Sequence, residues 1–435
     1  MVGANFMTSI SLDRSREFGK VTSSEYQKAL PPSATTRPIK VMYIISDLSI
    51  GGAEMTLYKL LAETNRERFA PVVISLMDRG ALRERIEALG IAVHTVRMKA
   101  GRPTPAGLWR LIRLLRRLKP DLILGWMYHS CLAAELAKIF ARARTPVLWS
   151  IHYSVSSLAS EKRLTAAVIK LCGLLSRLPA KIIYVSRAGQ VQHQPLGYLV
   201  EHSCVIPNGV DVEEFRPSAA ARLSVRIDLG IPEDTFLIGI TGRYHPMKDH
   251  SNFLRAAALI LKAHPDTHFL LIGRGVDPAN QSLCNSISKL RLGGRTHLLG
   301  ERQDMSRLAA ALDIFSLSSY GESCPNVIGE AMACGVPCVV TDVGDAVWMV
   351  GETGKVIPPR DASALAAAWE EMIELEPQRR VALGLLARAR VIENFPIQSV
   401  MARYEDLYEA ALTDEASQEF ISLTPARINA FESGI

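Results

Sequence analysis

Residues 314–341 read IFSLSSYGESCPNVIGEAMACGVPCVVT, and the residue types fall in the order strand, loop, helix, strand. Residues 314–317 and 337–341 are short apolar runs of the kind that becomes a strand buried on both faces. Between them Pro325, a residue at home in a first helical turn, opens a helix. Strand, helix and strand in that order make a parallel pair.

The alternation extends in both directions. In the second half of the chain, residues 236–241, 268–272 and 296–299 are also strand-like, with helices over 253–263 and 362–375. In the first half, residues 40–45, 72–76, 93–96, 122–124, 147–151, 182–185 and 203–206 repeat the pattern. The chain has 435 residues, too many for one ordinary core. The expected class is therefore α/β, with two Rossmann-like, doubly wound parallel-sheet domains facing a cleft. Pro207-Asn208-Gly209-Val210-Asp211 is a turn-forming stretch suited to a hinge. The expected boundaries are a disordered extension over 1–37, a first domain over 38–210, a second over 211–394, and a terminal helix over 395–412 that crosses back to the first domain. Open parallel sheets bind ligands beyond the carboxyl ends of their strands, so the cleft is the natural place for a site.

At 48% hydrophobic and 22% charged residues the composition is that of a soluble globular protein. Net charge is +6, but residues 1–215 hold 29 Lys+Arg against 17 Asp+Glu, which makes the first half +12 and the second −6. A basic half suits an anionic partner such as a phospholipid surface, a lipid diphosphate or nucleic acid, and equally suits a solvated surface. Seven scattered cysteines without a CxxC pair indicate neither a disulfide framework nor a zinc site and fit a reducing cytosol. Residues 1–20 carry Asp13 and Glu17 and lack the apolar core of a signal peptide. No run reaches the ~18 apolar residues of a membrane span. One segment bears on membranes: in LWRLIRLLRRLK, residues 108–119, apolar side chains fall at 108, 111, 115 and 118, with Arg110, Arg113 and Arg117 on another face. It reads as a domain helix packing on the sheet, as a helix lying on anionic lipid, or as both.

The helix opened at Pro325 offers free backbone N–H groups to an anion from about Cys324 to Val327, which makes Ser323, Cys324, Pro325, Asn326 and Val327 a candidate phosphate cradle. Glu322 before the helix can bond sugar hydroxyls, and Glu330 inside it can accept both hydroxyls of a ribose. Taken alone, the two are as readily a solvated loop residue and a helix-surface glutamate. Arg243 and Lys248 lie in Gly242-Arg243-Tyr244-His245-Pro246-Met247-Lys248, directly after a strand. Ser49-Ile50-Gly51-Gly52-Ala53-Glu54 follows the first strand, and its glycines let a phosphate or sugar approach the backbone, although tight turns also use glycine for conformation alone. Glu54 is expected to cap or support the helix. His152 ends the strand 147–151 at the carboxyl edge, where a structural role is the commoner one. Gly273-Arg274-Gly275 lacks the third glycine of a dinucleotide fingerprint.

The Glu-x7-Glu spacing inside GESCPNVIGEAMACGVP closely resembles the donor motif of the retaining, GT-B fold glycosyltransferases of family 4, or glycosyl transferases group 1. The resemblance covers roughly residues 39–411 and takes in the Gly242–Lys248 stretch and the Gly-Gly-Ala-Glu loop. It implies a nucleotide-sugar site of Gly51, Gly52, Arg243, Lys248, Glu322, Ser323, Cys324, Pro325, Asn326, Val327 and Glu330, with His152, Arg243, Lys248 and Glu322 catalytic. Arg243 and Lys248 would hold the donor diphosphate and offset the charge that builds on it, where a metal otherwise would. The chain has no Asp-x-Asp for a cation, so metal independence and the absence of any cofactor are expected.

The resemblance further implies retention by a front-face route, in which the leaving diphosphate takes the acceptor's proton and no enzyme nucleophile is required. The expected donor is an NDP-sugar, UDP foremost, carrying a hexose or N-acetylhexosamine. The expected acceptor is a glycan or a lipid-linked saccharide of bacterial surface polysaccharide, lipopolysaccharide or exopolysaccharide. The expected location is cytoplasmic, with peripheral contact at an anionic inner membrane and no nucleic acid partner. Asp249 and Val343-Gly344-Asp345 depart from the family pattern, which leaves donor-sugar contacts around Asp345 open. A nucleotide-sugar epimerase of the same fold and a non-catalytic sugar- or lipid-binding protein are the competing classes; intact Arg243, Lys248, Glu322 and Glu330 count against the second.

Overall fold

The computed structural model describes residues 37–413 apart from 79, 100–103 and 156. The extension expected over 1–37 lies, but for Arg37, outside the described residues. The first half runs β1 (Ile39–Ile45), α1 (Gly52–Glu63), β2 (Phe69–Met77), α2 (Leu82–Ala88), β3 (Ala92–Met98), α3 (Pro105–Leu118), β4 (Leu122–Trp126), α4 (Tyr128–Ala141), β5 (Val147–Ile151), α5 (Arg163–Leu174), β6 (Lys181–Tyr184), α6 (Arg187–His193) and β7 (Ser203–Val205). The second runs α7 (Ala219–Leu229), β8 (Leu237–Thr241), α8 (His250–Ile260), β9 (His268–Ile272), α9 (Gln281–Lys289), β10 (Thr296–Leu298), α10 (Met305–Ala310), β11 (Ile314–Leu317), α11 (Asn326–Ala333), β12 (Cys338–Thr341), α12 (Ala346–Val350), β13 (Gly354–Ile357), α13 (Ala362–Glu374), α14 (Pro377–Asn394) and α15 (Ile397–Leu412).

Two parallel sheets result, of seven strands in the order β3-β2-β1-β4-β5-β6-β7 and of six in the order β10-β9-β8-β11-β12-β13. Both are covered on both faces, which is why their strands read as unbroken apolar runs rather than alternations. In β1, Met42 and Ile44 face a layer of α3, α4 and α5, while Tyr43 and Ile45 face α1, α2 and α15. The edge strand β13 is absent from the sequence reading because two of its four residues are exposed and it carries no apolar run.

The two halves are joined twice, and the joints are hydrogen-bonded to each other. Val210 donates its N–H to the Phe395 carbonyl at 2.8 Å, and Ile397 donates to Val210 at 3.0 Å. Gly209 lies so close to Ile397 that a Cβ would meet its Cα at 2.7 Å. Beyond the joint, α15 packs on the first half, with the Tyr408 and Tyr43 hydroxyls 3.0 Å apart and Glu405 accepting from the Asn65 N–H at 2.9 Å.

Candidate active site

Strand order reverses between β1 and β4 in the first sheet and between β8 and β11 in the second. Loops leaving the carboxyl ends there diverge and open a crevice, and the Gly51-Gly52 loop, the Arg243–Lys248 loop and the Glu322 loop are three of them.

The loop after β8 is seated on glycine. Gly273 has φ +147°, and a Cβ on it would collide with the Gly242 carbonyl. The Tyr244 N–H then reaches the Arg274 carbonyl at 2.8 Å. Asp249 adopts the left-handed region at φ +46° and caps α8 by accepting from the Asn252 N–H at 3.1 Å. Aspartate tolerates that region better than most residues and caps where glycine would not, which accounts for the departure at this position. The Ser318 hydroxyl donates to the Lys248 carbonyl at 2.8 Å, and the Tyr320 N–H donates to Met247 at 2.9 Å, so the β8 and β11 loops are knitted together.

Across that seam Lys248 Nζ lies 2.5 Å from Glu322 Oε1, which also accepts from the Ser319 hydroxyl at 2.6 Å. Glu322 is thus no solvated loop residue. Gly344, at φ +55°, supports the same loop from below, because any Cβ there would run into the Glu322 and Ser323 carbonyls. Helix α11 starts at Asn326 with Pro325 as its N-cap. Pro325 has no N–H to give, so the cradle's first-turn amides are those of Asn326 and Val327. Burial pushes the Cys324 thiol up to about 12, which leaves it neutral and unreactive.

Several site residues reach across to the first half. Lys59 Nζ on α1 lies 2.8 Å from Glu330 Oε1, both side chains being largely buried. Burial disfavours the Lys59 ammonium, but Glu330 together with Glu214 and Asp211 outweighs it and the net shift is upward. Glu330 is therefore no helix-surface glutamate; the carboxylate expected on a ribose is held here by a lysine. Asn326 Nδ2 donates to Thr56 Oγ1 at 3.2 Å, and the Ser323 and Ser186 hydroxyls are 2.7 Å apart. Asp345 accepts from the Arg187 and Ala188 amides of α6 at 2.8 and 2.9 Å. Asn208, from the hinge stretch, donates to the Cys324 carbonyl at 2.8 Å.

In the first half Gly51 and Gly52 differ. A Cβ on Gly51 would collide with the Glu54 carboxylate, whereas one on Gly52 would meet nothing within 4 Å. Gly51 is thus a packing requirement and Gly52 leaves open space at the helix start. Burial raises the Glu54 pKa, opposed by its own backbone N–H and by the charges of Arg243 and Arg274, so Glu54 and Arg243 feel one another. His152 stacks on Trp126 with ring centroids 4.1 Å apart, and its Nε2 lies 2.8 Å from the Ser150 hydroxyl. Burial pushes the imidazole down to about 3, with the Asn208 side chain pulling the other way, so the ring is neutral at physiological pH. Its Nδ1 and the Asn208 Oδ1 are both buried without a hydrogen-bond partner.

Sequence reasoning did not find Lys59, Thr56, Ser186 or Ser319, and it read Asn208 only as a turn former. Nothing local marks Lys59, Thr56, Ser186 or Asn208, since their partners lie far away in the chain, whereas Ser319 meets Glu322 only three residues on. Among the described residues the group of metal-ligating side chains close enough to share an ion is His264, Glu370 and Glu374. His264 stands just before β9, at the opposite edge of the sheet from this crevice.

Residues 235–374 match the family described as Glycosyl transferases group 1, and residues 50–214 match Glycosyltransferase Family 4. Together the matches take in well over half of the chain, which belongs to this family of glycosyltransferases with the GT-B fold. It is 36% identical over 209 residues to the UDP-Gal:alpha-D-GlcNAc-diphosphoundecaprenol alpha-1,3-galactosyltransferase of Escherichia coli, covering 47% of this chain and 53% of the relative. It is 31% identical over 197 residues to a GDP-mannose-dependent phosphatidylinositol monomannoside mannosyltransferase of Corynebacterium glutamicum, covering 43% and 50%. The chain thus spans about half the length of the curated relatives it matches. Among solved structures, that of Anabaena HepE in complex with UDP-glucose aligns with a TM-score of 0.75 at 24% identity, over 86% of this chain and all of that one. That likeness establishes the fold.

Proposed function

We propose that this chain is a retaining, metal-independent hexosyltransferase that moves a hexose or N-acetylhexosamine from an NDP-sugar, UDP-sugar foremost, to a glycan or lipid-linked acceptor in bacterial surface polysaccharide synthesis. The observation that carries this reading is the convergence of Lys248, Glu322 and the first turn of α11 at the β8/β11 switch point, within the charge field that Arg243 shares with Glu54. Cations and amides meet there, as breaking a sugar–diphosphate bond requires. Burial pushes both thiols of the motif, Cys324 and Cys334, up to about 12 so that they stay neutral, and His152 is held by Ser150, which supports chemistry by positioning rather than through an enzyme nucleophile. The Escherichia coli relative's name, with its UDP-galactose donor and diphosphoundecaprenol-linked acceptor, supports the donor and acceptor classes.

The test is a donor panel with a lipid-linked saccharide acceptor, read by released nucleoside diphosphate, by product mass and by the anomeric configuration of the product. Acceptor-dependent diphosphate release with a retained anomer, undiminished by a chelator, is expected. Epimerisation of the donor without diphosphate release would replace the transferase by an epimerase, and nucleotide binding without turnover on any donor would leave a binding protein.

A further inference from the structure

One face of the second sheet is covered by α8 and α13, which pack on each other through Phe253, Ala257, Ile260, Leu365, Trp369 and Met372. Their C-terminal ends come together away from the crevice. His264 stands just beyond α8, where its N–H donates to the Ile260 carbonyl at 2.9 Å and its carbonyl accepts from the Thr267 N–H at 3.2 Å. Glu370 and Glu374 lie one turn apart at the end of α13, so they project from the same face of that helix. One ligand atom from each of these three side chains lies within 4.8 Å of the other two.

The rest of the described chain leaves these groups unanswered. His264 Nε2 is buried without a hydrogen-bond partner. Neither glutamate makes an ion pair among the described residues, with His264 or with any other cation. Arg380 is engaged elsewhere, its Nη1 donating to the carbonyls of Met372, Ile373 and Leu375 at 3.1, 3.3 and 3.1 Å. Two carboxylates one turn apart repel each other, and both stand at the negative end of a helix dipole. A divalent cation among the three groups removes both penalties, satisfies the imidazole and faces the C-terminal ends of two helices at once. Glu374 is exposed, so its side chain can swing the last part of the way to a metal–oxygen bond of about 2.0–2.2 Å.

We propose that His264, Glu370 and Glu374 bind one divalent transition-metal ion of the zinc class, which clamps the end of α8 to the end of α13. One imidazole and two carboxylates suit zinc better than calcium or magnesium, which take oxygen ligands. Two packed helices hold all three side chains, so much of the ordering that the ion needs is present before it arrives. His264 precedes β9, whereas the crevice lies beyond the carboxyl ends of the strands. The ion therefore acts on stability, and the metal independence proposed for sugar transfer is untouched.

The experiment is equilibrium dialysis of the chelator-stripped full chain against zinc chloride, with the melting temperature followed in parallel. Saturable uptake of one zinc ion per chain and a rise of several degrees at saturation are expected. X-ray absorption at the zinc edge is expected to show nitrogen and oxygen ligands at about 2.0–2.2 Å and no sulfur at about 2.3 Å, which separates this site from the cysteines. Glu370→Gln and Glu374→Gln keep the side-chain shape and remove one charge. Each is expected to lower zinc affinity by roughly tenfold or more, since loss of a partner behind a ligand already costs that much. Without zinc each variant is expected to melt at or slightly above the unmodified chain, because the repulsion is relieved, and with zinc below it. The nucleotide-induced thermal shift stays the same throughout, so the outcome does not depend on the transferase reading. Absence of saturable uptake, a sulfur shell, or unaltered affinity in both variants would each overturn the proposal.

Discussion

Lys248 and Glu322 form the shortest ion pair in the cleft, and each is a group the proposed reaction uses. A lysine held at 2.5 Å by a carboxylate is oriented before any diphosphate arrives, so its cost of ordering is already met. Lys248→Ala is expected to lower kcat/KM by roughly a hundredfold or more, as loss of an electrostatic stabiliser does, with stability little changed; unaltered turnover would remove Lys248 from the diphosphate. Lys59 and Glu330 test a different point. Their pairing is largely buried, so Lys59→Met should destabilise the chain by about 1–3 kcal/mol by leaving a carboxylate unpaired. Adding Glu330→Gln should recover much of that loss, and simple additivity in the double-mutant cycle would show that the pair does not couple the halves. Glu322, Glu330, Arg243 and Lys248 were singled out in the sequence through the family resemblance, since the residue pattern alone left the two glutamates as readily surface residues. Lys59 was not, since its partner is 271 residues away and α1 alone gives no reason to single out one lysine.

Among the elements, helices and strands of the two sheets were visible wherever burial on both faces made the residue pattern continuous, and β13, half exposed, was not. The helix α4 hides something no pattern reveals: Glu135 is 1% exposed and accepts from the Trp149 indole N–H at 3.2 Å. Burial pushes its pKa from 4.5 up to about 7. Below pH 4.5 the carboxyl is protonated in folded and unfolded chain alike. As pH rises the unfolded chain ionises first, while the folded chain holds its proton until about pH 7 and then carries a buried charge. The stability associated with the neutral form is therefore fully present below pH 4.5 and is lost as pH rises through 7, on the order of 3 kcal/mol in all. Glu135→Gln keeps an acceptor for Trp149 and has nothing to ionise. Its melting temperature should exceed that of the unmodified chain by several degrees at alkaline pH and converge with it in acid; a pH-independent difference would mean that Glu135 does not titrate as a buried group.

Across the whole described chain, the contacts between the halves are of two kinds. At the joint, Val210 and Ile397 exchange backbone hydrogen bonds, and α15 is anchored in the first half by Tyr404 and Tyr408, both almost fully buried. Over the cleft the contacts are largely polar: Lys59 with Glu330, Thr56 with Asn326, Ser186 with Ser323, Asp345 with the amides of α6, and Arg187 over the Trp348 ring, with Val185 adding an apolar contact. Water can replace contacts of the second kind at little cost, whereas the first kind would have to unpack. These contacts would let the halves part over the cleft and stay joined at residues 208–210 and 395–397, as the proposed transferase needs when one half holds the donor and the other the acceptor. Asp345 is the sharpest probe of this, because its carboxylate holds the α6 amides while its own N–H donates to the Ser323 carbonyl, so it ties the Glu322 loop to the first half. Asp345→Ala should leave the dissociation constant for the nucleoside diphosphate within about twofold, lower kcat by about tenfold and raise the radius of gyration seen by solution scattering. A loss of nucleotide affinity equal to the loss of turnover would instead put Asp345 in the donor site and return the halves to a fixed arrangement.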